Sequence, residues 1–399
     1  MASPSSTFAL NGDGGQRRGL VSLEIDSFKA YEDETVSLSP LTIVIGRNGA
    51  GKTSLLQAVE FLGALVRGTL GEHLEHRGWD YADLPHLRND HKQFGFVAKV
   101  LINGELLEWE LRLGARRRSG VARERIVSSD GQLLLDRQGR IMRRLDRRTN
   151  EWESVTQTLT SSWLATVGRE DADRFPELLS LADWARGILG YLALDPSRLR
   201  EPSRKTSQLG AHGEGLAGLL RTLKDAKDGS FERVFKAVRQ RYPALREINV
   251  RQGSYGWNRI EIGERWGREV VTLNARQVSD GLLRLLAVAT LAEVPTPPSI
   301  VMIDEVENGV HPHLLDGLMG LLQDLTRSGI QVLATSHSPV ALNYVESARQ
   351  VLLARRIARG PARLTVVADT RGFEELGEHF DVGELWYNLG EQRLLRPKR

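Results

Sequence analysis

Leu41-Thr42-Ile43-Val44-Ile45 runs straight into Gly46-Arg47-Asn48-Gly49-Ala50-Gly51-Lys52-Thr53-Ser54, and then into Leu-Leu-Gln-Ala-Val-Glu-Phe-Leu at helical spacing. The order is strand, glycine loop, helix, the context that turns a short pattern into a phosphate-binding site. Glycines let successive backbone N–H groups close around an anion, and the helix N-terminus adds the positive end of its dipole. In this reading Gly46 to Ser54 cradle a nucleotide. Lys52 reaches its β- and γ-phosphates and the Thr53 hydroxyl ligates Mg²⁺. The bland alternative is a glycine-rich turn entering an ordinary helix. A match placed directly after an apolar strand makes that alternative weak.

The rest of the composition narrows the class. At 399 residues the chain is long enough for two or three domain-sized units. No segment approaches the roughly 18 consecutive apolar residues of a membrane span. The start, Met1-Ala2-Ser3-Pro4-Ser5-Ser6, lacks the charged and apolar regions of a signal peptide and reads as a disordered tail over residues 1–18. With no cysteine, disulfides, thiol catalysis and cysteine-bound zinc are excluded. The expected location is the cytoplasm.

Net charge is only +3, yet Arg112 to Arg148 holds twelve arginines against Glu124, Asp130, Asp136 and Asp146. Such a cluster is the footprint of an anionic partner, nucleic acid first, or else a solvated arginine-rich face. No aromatic residue lies in it, which argues against a base-stacking platform. The segment falls in a run of period-two alternation from Phe94 to about Val155. Asn103-Gly104 is a strong hairpin signal there, so the arginines sit on an antiparallel β-subdomain. From about Gln157 to Ala292 the pattern is mostly helical, with a strand-like interruption between Ile248 and Val271. The expected organisation is a first ATP-binding segment over 19–155, a helical lobe over 156–295 and a second ATP-binding segment over 296–399.

Ser299-Ile-Val-Met-Ile-Asp304-Glu305 is a buried strand ending in two acids. After a phosphate loop, an acid at such a strand end holds Mg²⁺, and its neighbour polarises the attacking water; these roles fall to Asp304 and Glu305. About 30 residues on, Gln331-Val-Leu-Ala-Thr-Ser-His337 is another apolar strand, ending where a histidine can sense a γ-phosphate. The gap leaves room for one helix and a parallel return strand. Ser279-Asp280-Gly281 opens a strongly apolar helix. By itself that is a capped helix start, and before the acidic strand it is a candidate second phosphate clamp.

Together these residues resemble the ABC-type ATPases of the RecF/Rad50/SMC-like branch. Gly46–Thr53 stands as Walker A, Ser279-Asp-Gly281 as a variant signature, Asp304-Glu305 as Walker B and His337 as the switch histidine. The blocks Ser279-Asp-Gly-Leu-Leu-Arg284 and Asp304-Glu-Val-Glu-Asn-Gly-Val-His311-Pro312 resemble more closely the stand-alone bacterial AAA_21-like ATPases, kin to the overcoming-lysogenization-defect ATPases. Val306 stands where those have proline, and Val278 where a leucine is usual. The resemblance implies an α/β P-loop NTPase: an ABC-type head with an antiparallel β-subdomain and a helical signature lobe.

It further implies ATP and Mg²⁺ as cofactors. Two protomers would sandwich two ATP molecules, each nucleotide touching the phosphate loop of one and Ser279 and Gly281 of the other. Catalysis would rest on Lys52, Glu305 and His337. No long coiled coil and no fused nuclease centre is legible, so the family likeness points to a sensor or regulator of a separate effector in bacterial anti-phage defence. The alternative is a RecF-like repair ATPase binding duplex DNA through Arg112–Arg148. Two residues stay open: Gln93 for the lobe-linking glutamine, and Tyr31 for adenine packing or core.

Overall fold

The computed structural model describes residues 18–68, 70–88, 93–114, 120–190, 193–356, 360–377 and 380–394. All but Arg18 of the expected N-terminal tail lies outside them, as do Arg116, Arg117 and Arg118. The chain divides into two compact units. One holds the chain to Leu189 plus Arg349–Thr370, the other Gly190–Ala348 plus the segment from Arg371 onward.

The first unit begins with β1 (Gly19–Phe28), β2 (Tyr31–Ser37) and β3 (Leu41–Ile45). All five residues of β3 are buried, as its unbroken apolar run requires. The glycine loop follows, then α1 (Lys52–Arg67) and α2 (Leu70–Arg77). Next comes the meander of β4 (Gln93–Ile102), β5 (Glu105–Gly114), β6 (Val121–Val127), β7 (Leu133–Gln138), β8 (Ile141–Asp146) and β9 (Glu151–Thr156), closed by α3 (Pro176–Arg186). With β1 and β2 these form an eight-stranded sheet in the order β2-β1-β4-β5-β6-β7-β8-β9. Asn103 and Gly104 both take positive φ, 54° and 86°, between β4 and β5; this is the twist-matched two-residue turn that the Asn-Gly pair predicts. On β5, Leu107, Trp109, Leu111 and Leu113 are buried, while Glu108, Glu110 and Arg112 point the other way.

The second unit opens with α4 (Pro196–Leu199), α5 (Leu216–Ala226) and α6 (Ser230–Arg241). The strand-like interruption is a three-stranded antiparallel sheet of β10 (Leu245–Gln252), β11 (Asn258–Trp266) and β12 (Glu269–Asn274). In α7 (Asp280–Leu291) every residue from Gly281 to Leu291 is buried; apart from Arg284 and Thr290 these are apolar, as in a helix that sits in a core. β13 (Ile300–Ile303), α8 (Pro312–Arg327) and β14 (Gln331–Ser336) form a β-α-β step, the strands pairing in parallel with Ile303 opposite Ala334. α9 (Pro339–Leu342) follows directly.

The chain then returns to the first unit as β15 (Val351–Arg356), parallel to β3, and β16 (Ala362–Val366), antiparallel to β15. It ends in the second unit with α10 (Arg371–Leu376) and α11 (Val382–Leu394). Among the described residues no helix is long and apolar enough to cross a membrane.

Candidate functional site

The glycine loop is shaped by its neighbours. A Cβ on Gly46 would fall 2.2 Å from the Ala354 carbonyl oxygen on β15, and its φ is 145°. Gly51 caps α1 in the left-handed region, at φ 107°, and a Cβ there would lie 2.7 Å from Ala362. Neither position admits a side chain. Gly49, at φ 74°, has nothing among the described residues within 4 Å of where its Cβ would be, so the space above the loop summit is open. Arg47, Asn48 and Gly49 are exposed, Ala50 is buried, and Thr53 and Ser54 are half-exposed. The first turn of α1 holds no acid, so no carboxylate opposes an anion there.

Lys52 is buried, and its ammonium donates to the carbonyls of Gly46 at 2.9 Å and Arg47 at 3.2 Å. The cation thereby lies folded against the inside of the loop. Tyr31 resolves towards the core: it is fully buried and its hydroxyl donates to the Gly51 carbonyl at 2.9 Å. Burial, with the Glu34 carboxylate nearby, pushes its pKa far above the usual tyrosine range. It buttresses the loop from behind. Gln93 is exposed at the first position of β4, opposite Gly114.

In the second unit the acidic pair and the histidine are brought together by the parallel register of β13 and β14. Thr335 ties them. Its hydroxyl donates to Asp304 Oδ1 at 2.6 Å and accepts from the Glu305 amide at 2.8 Å, while its carbonyl takes the Val306 amide at 3.0 Å. Glu305 is held at φ 50°, a left-handed conformation that costs a non-glycine residue about 1–3 kcal/mol. His337 Nε2 lies 3.8 Å from Glu305 Oε1, and the His337 amide donates to Glu307. Sequence reasoning missed Thr335 and Glu307. Thr335 was within reach of it, because a parallel strand two residues short of His337 places it beside Asp304.

Ser279 caps α7, accepting from the Leu282 amide at 3.3 Å, and Gly281 is buried against Leu314. Asp280 pairs with Arg200, which also donates to the carbonyls of Ala275 and Val278, each at 3.0 Å. A cavity of about 440 Å³ opens beside this helix, lined by Asp195, Arg284, Asp304, Glu305, Asn308 and Gly309 among others.

The arginine-rich segment is partly structural. Arg137 is buried against Glu124 and donates to the Ser161 carbonyl at 2.8 Å; Arg112 pairs with Asp26, Arg144 with Glu153 and Arg147 with Glu177. Arg123, Arg125, Arg140, Arg143 and Arg148 are exposed. Glu110, Arg125, Asp136 and Arg143 stand in one cross-strand row, so the solvent face alternates in sign.

The chain matches the AAA_21 family, described as "AAA domain, putative AbiEii toxin, Type IV TA system", over residues 99–343. It also matches AAA_15, an "AAA ATPase domain", over residues 19–65. No curated protein matches it. Among solved structures it is similar to an Smc head bound to the C-terminal winged-helix domain of ScpA, at a TM-score of 0.51 and 14% identity over 87% of this chain and 96% of that one. A second Smc head, with an extended coiled coil and bound to the C-terminal domain of ScpA derived from Pyrococcus furiosus, gives a TM-score of 0.50 and 12% identity over the same shares. At such identities the likeness speaks for fold, and the fold is that of a P-loop NTPase head. With the family match covering more than half of the residues, the chain belongs to the AAA_21 family and is an ATP-hydrolysing enzyme.

Proposed function

We propose that this ATPase is an ATP-gated dimer that regulates a separate effector in bacterial anti-phage defence. Gly46 to Ser54 bind the triphosphate and Lys52 neutralises its β- and γ-phosphates. Thr53 and Asp304 offer a hydroxyl and a carboxylate, the hard oxygen donors that suit Mg²⁺. Glu305 acts on the attacking water and His337 on the γ-phosphate, while Ser279 and Gly281 clamp the nucleotide of the partner protomer. The observation that carries this reading is the Thr335 lock. A strand-end threonine fixes Asp304 by its side chain and Glu305 by its amide, with the His337 ring within 3.8 Å. Core packing alone gives no reason for that constellation.

ATP supplies the anionic surface that two helix N-termini approach from opposite sides, and hydrolysis removes it. Nucleotide state thereby becomes subunit geometry, which is what an effector can read. Support for the defence role comes from the family description, which names a putative toxin of a type IV toxin–antitoxin system. Glu305→Gln with saturating ATP and Mg²⁺ should run as a dimer in light scattering. A monomer under those conditions would sink the sandwich.

The reading in which duplex DNA binds Arg112–Arg148 draws on the exposed Arg123, Arg125 and Arg148. It is weakened by the ion pairs that occupy Arg112, Arg144 and Arg147. Binding through that face would weaken steeply with salt, and a flat salt dependence removes it.

A further inference from the structure

Two buried arginines in this protein are treated in opposite ways. Arg137, 2% exposed, donates to the carbonyls of Ser161, Leu159 and Gly139 and faces the Glu124 carboxylate. Arg284, 7% exposed, sits on α7 five residues after the Ser279 cap and has neither a hydrogen bond nor an ion pair with any described residue; its Nε is buried without an acceptor. Burial holds its pKa below the usual arginine value, and the Asp280 and Asp195 carboxylates oppose this only in part. Asp280, one turn away, is already engaged by Arg200. Leaving even one guanidinium N–H, here the Nε–H, buried without an acceptor is costly, while the rest of the group faces a cavity. Such an exception asks for a use.

Its surroundings indicate one. Arg284 lines the same cavity of about 440 Å³ as Asp304, Glu305, Asn308 and Gly309. A Cβ on Gly309 would lie 3.5 Å from Arg284 Nη2, so the guanidinium already borders the turn that follows the acidic pair. That turn starts from the strained Glu305 and is left-handed again at Gly309, with φ 67°.

We infer that Arg284 is a positioning residue for hydrolysis: its guanidinium takes the oxygen acceptors of the Glu305–Gly309 turn during turnover and sets the Glu305 carboxylate towards the water. The helix that presents Ser279 and Gly281 to a nucleotide would then also assemble the hydrolytic acid. The inference rests on the proposed role of Glu305 and names what controls that residue.

Three variants test it: Arg284→Met, Arg284→Lys and Glu305→Gln, each measured for melting temperature, ATP affinity and steady-state hydrolysis. Arg284→Met keeps the stem and removes a buried, unsatisfied charge, so its melting temperature should rise above wild type. Its kcat should fall at least about tenfold with KM and ATP affinity within about twofold, the split expected when ground-state binding is untouched. Arg284→Lys, which restores the charge without the fork, should recover part of that kcat. A lower melting temperature in Arg284→Met together with lost turnover would make Arg284 structural and overturn the inference, as would wild-type kcat in that variant. Full activity in Glu305→Gln would overturn the Glu305 role itself, and this inference with it. A silent Glu305→Gln beside a fully active Arg284→Met would remove only this inference.

Discussion

The phosphate loop and the acidic turn are built on opposite principles. Around Gly46–Lys52 the contacts are closed: two glycines are pinned by β15 and β16, Tyr31 bonds the Gly51 carbonyl from behind, and the Lys52 ammonium lies on two loop carbonyls. Around Glu305–Gly309 the backbone is tied to Thr335, but several side-chain groups are left open. Glu305 is strained, Glu307 Oε2 and Arg284 Nε are buried without partners among the described residues, and a cavity adjoins the turn. A receptor that must present a fixed row of N–H groups gains from rigidity. A turn of the kind proposed here, one that changes with nucleotide state, gains from contacts that are not all satisfied at once.

The contrast can be broken at either end. Lys52→Ala should have the largest effect, because charge-assisted bonds to phosphate are worth about 1.5–3 kcal/mol each; two of them amount to at least about 100-fold in ATP affinity. Titration with a fluorescent ATP analogue reads this directly, and near-native affinity would mean that the loop binds without its lysine. Gly46→Ala tests the rigidity itself. With backbone 2.2 Å from the new Cβ, β3 or β15 must shift, for an expected loss on the order of 2–4 kcal/mol in denaturant unfolding. Gly49→Ala, three residues on, meets no neighbour and should cost only about 1 kcal/mol, through its positive φ.

Thr335→Val sharpens the other side. It keeps the volume and removes the two side-chain bonds that align Asp304 and Glu305, each worth about 0.5–1.5 kcal/mol. Turnover should fall more than ATP affinity does, and equal loss in both would place Thr335 in binding instead. A purely pH-dependent effect lies beneath the loop helix. His73 is partly buried beside Phe61 and Trp79, and burial, with Arg77 and Arg67 nearby, lowers its pKa to about 4. The unfolded chain binds that proton near pH 6.5 and the folded one only near pH 4, so stability is full above pH 6.5 and declines as pH falls between the two values. His73→Phe should flatten that part of the melting profile, and an unchanged slope would assign it to other groups.

Much of this was legible in the sequence, for particular reasons. Gly46–Thr53 and Asp304–Glu305 announce themselves because a buried strand must end before a charged loop, and few residue types can sit at those ends. The Asn103-Gly104 turn reads directly as backbone preference. Tyr31 did not, because adenine stacking and core packing ask for the same ring, and only the hydroxyl's bond to Gly51 separates them. The arginine cluster left two readings open that the sequence alone could not separate. Charge is counted along the chain, whereas Arg137 and Glu124 are buried together and Arg125 and Asp136 face each other across strands. Arg284 looked like one letter of a signature; its lack of partners is a property of packing that no linear pattern carries.

The central claim, that Glu305 performs the chemistry on nucleotide held by the Lys52 loop, is tested most directly by steady-state phosphate release from wild type and Glu305→Gln at saturating ATP and Mg²⁺, with ATP affinity measured on the same samples. Removing a general base should lower kcat by about 10²–10⁴-fold and leave ATP affinity within about twofold. Unchanged turnover in Glu305→Gln, or a loss of affinity that accounts for the lost rate, would contradict it.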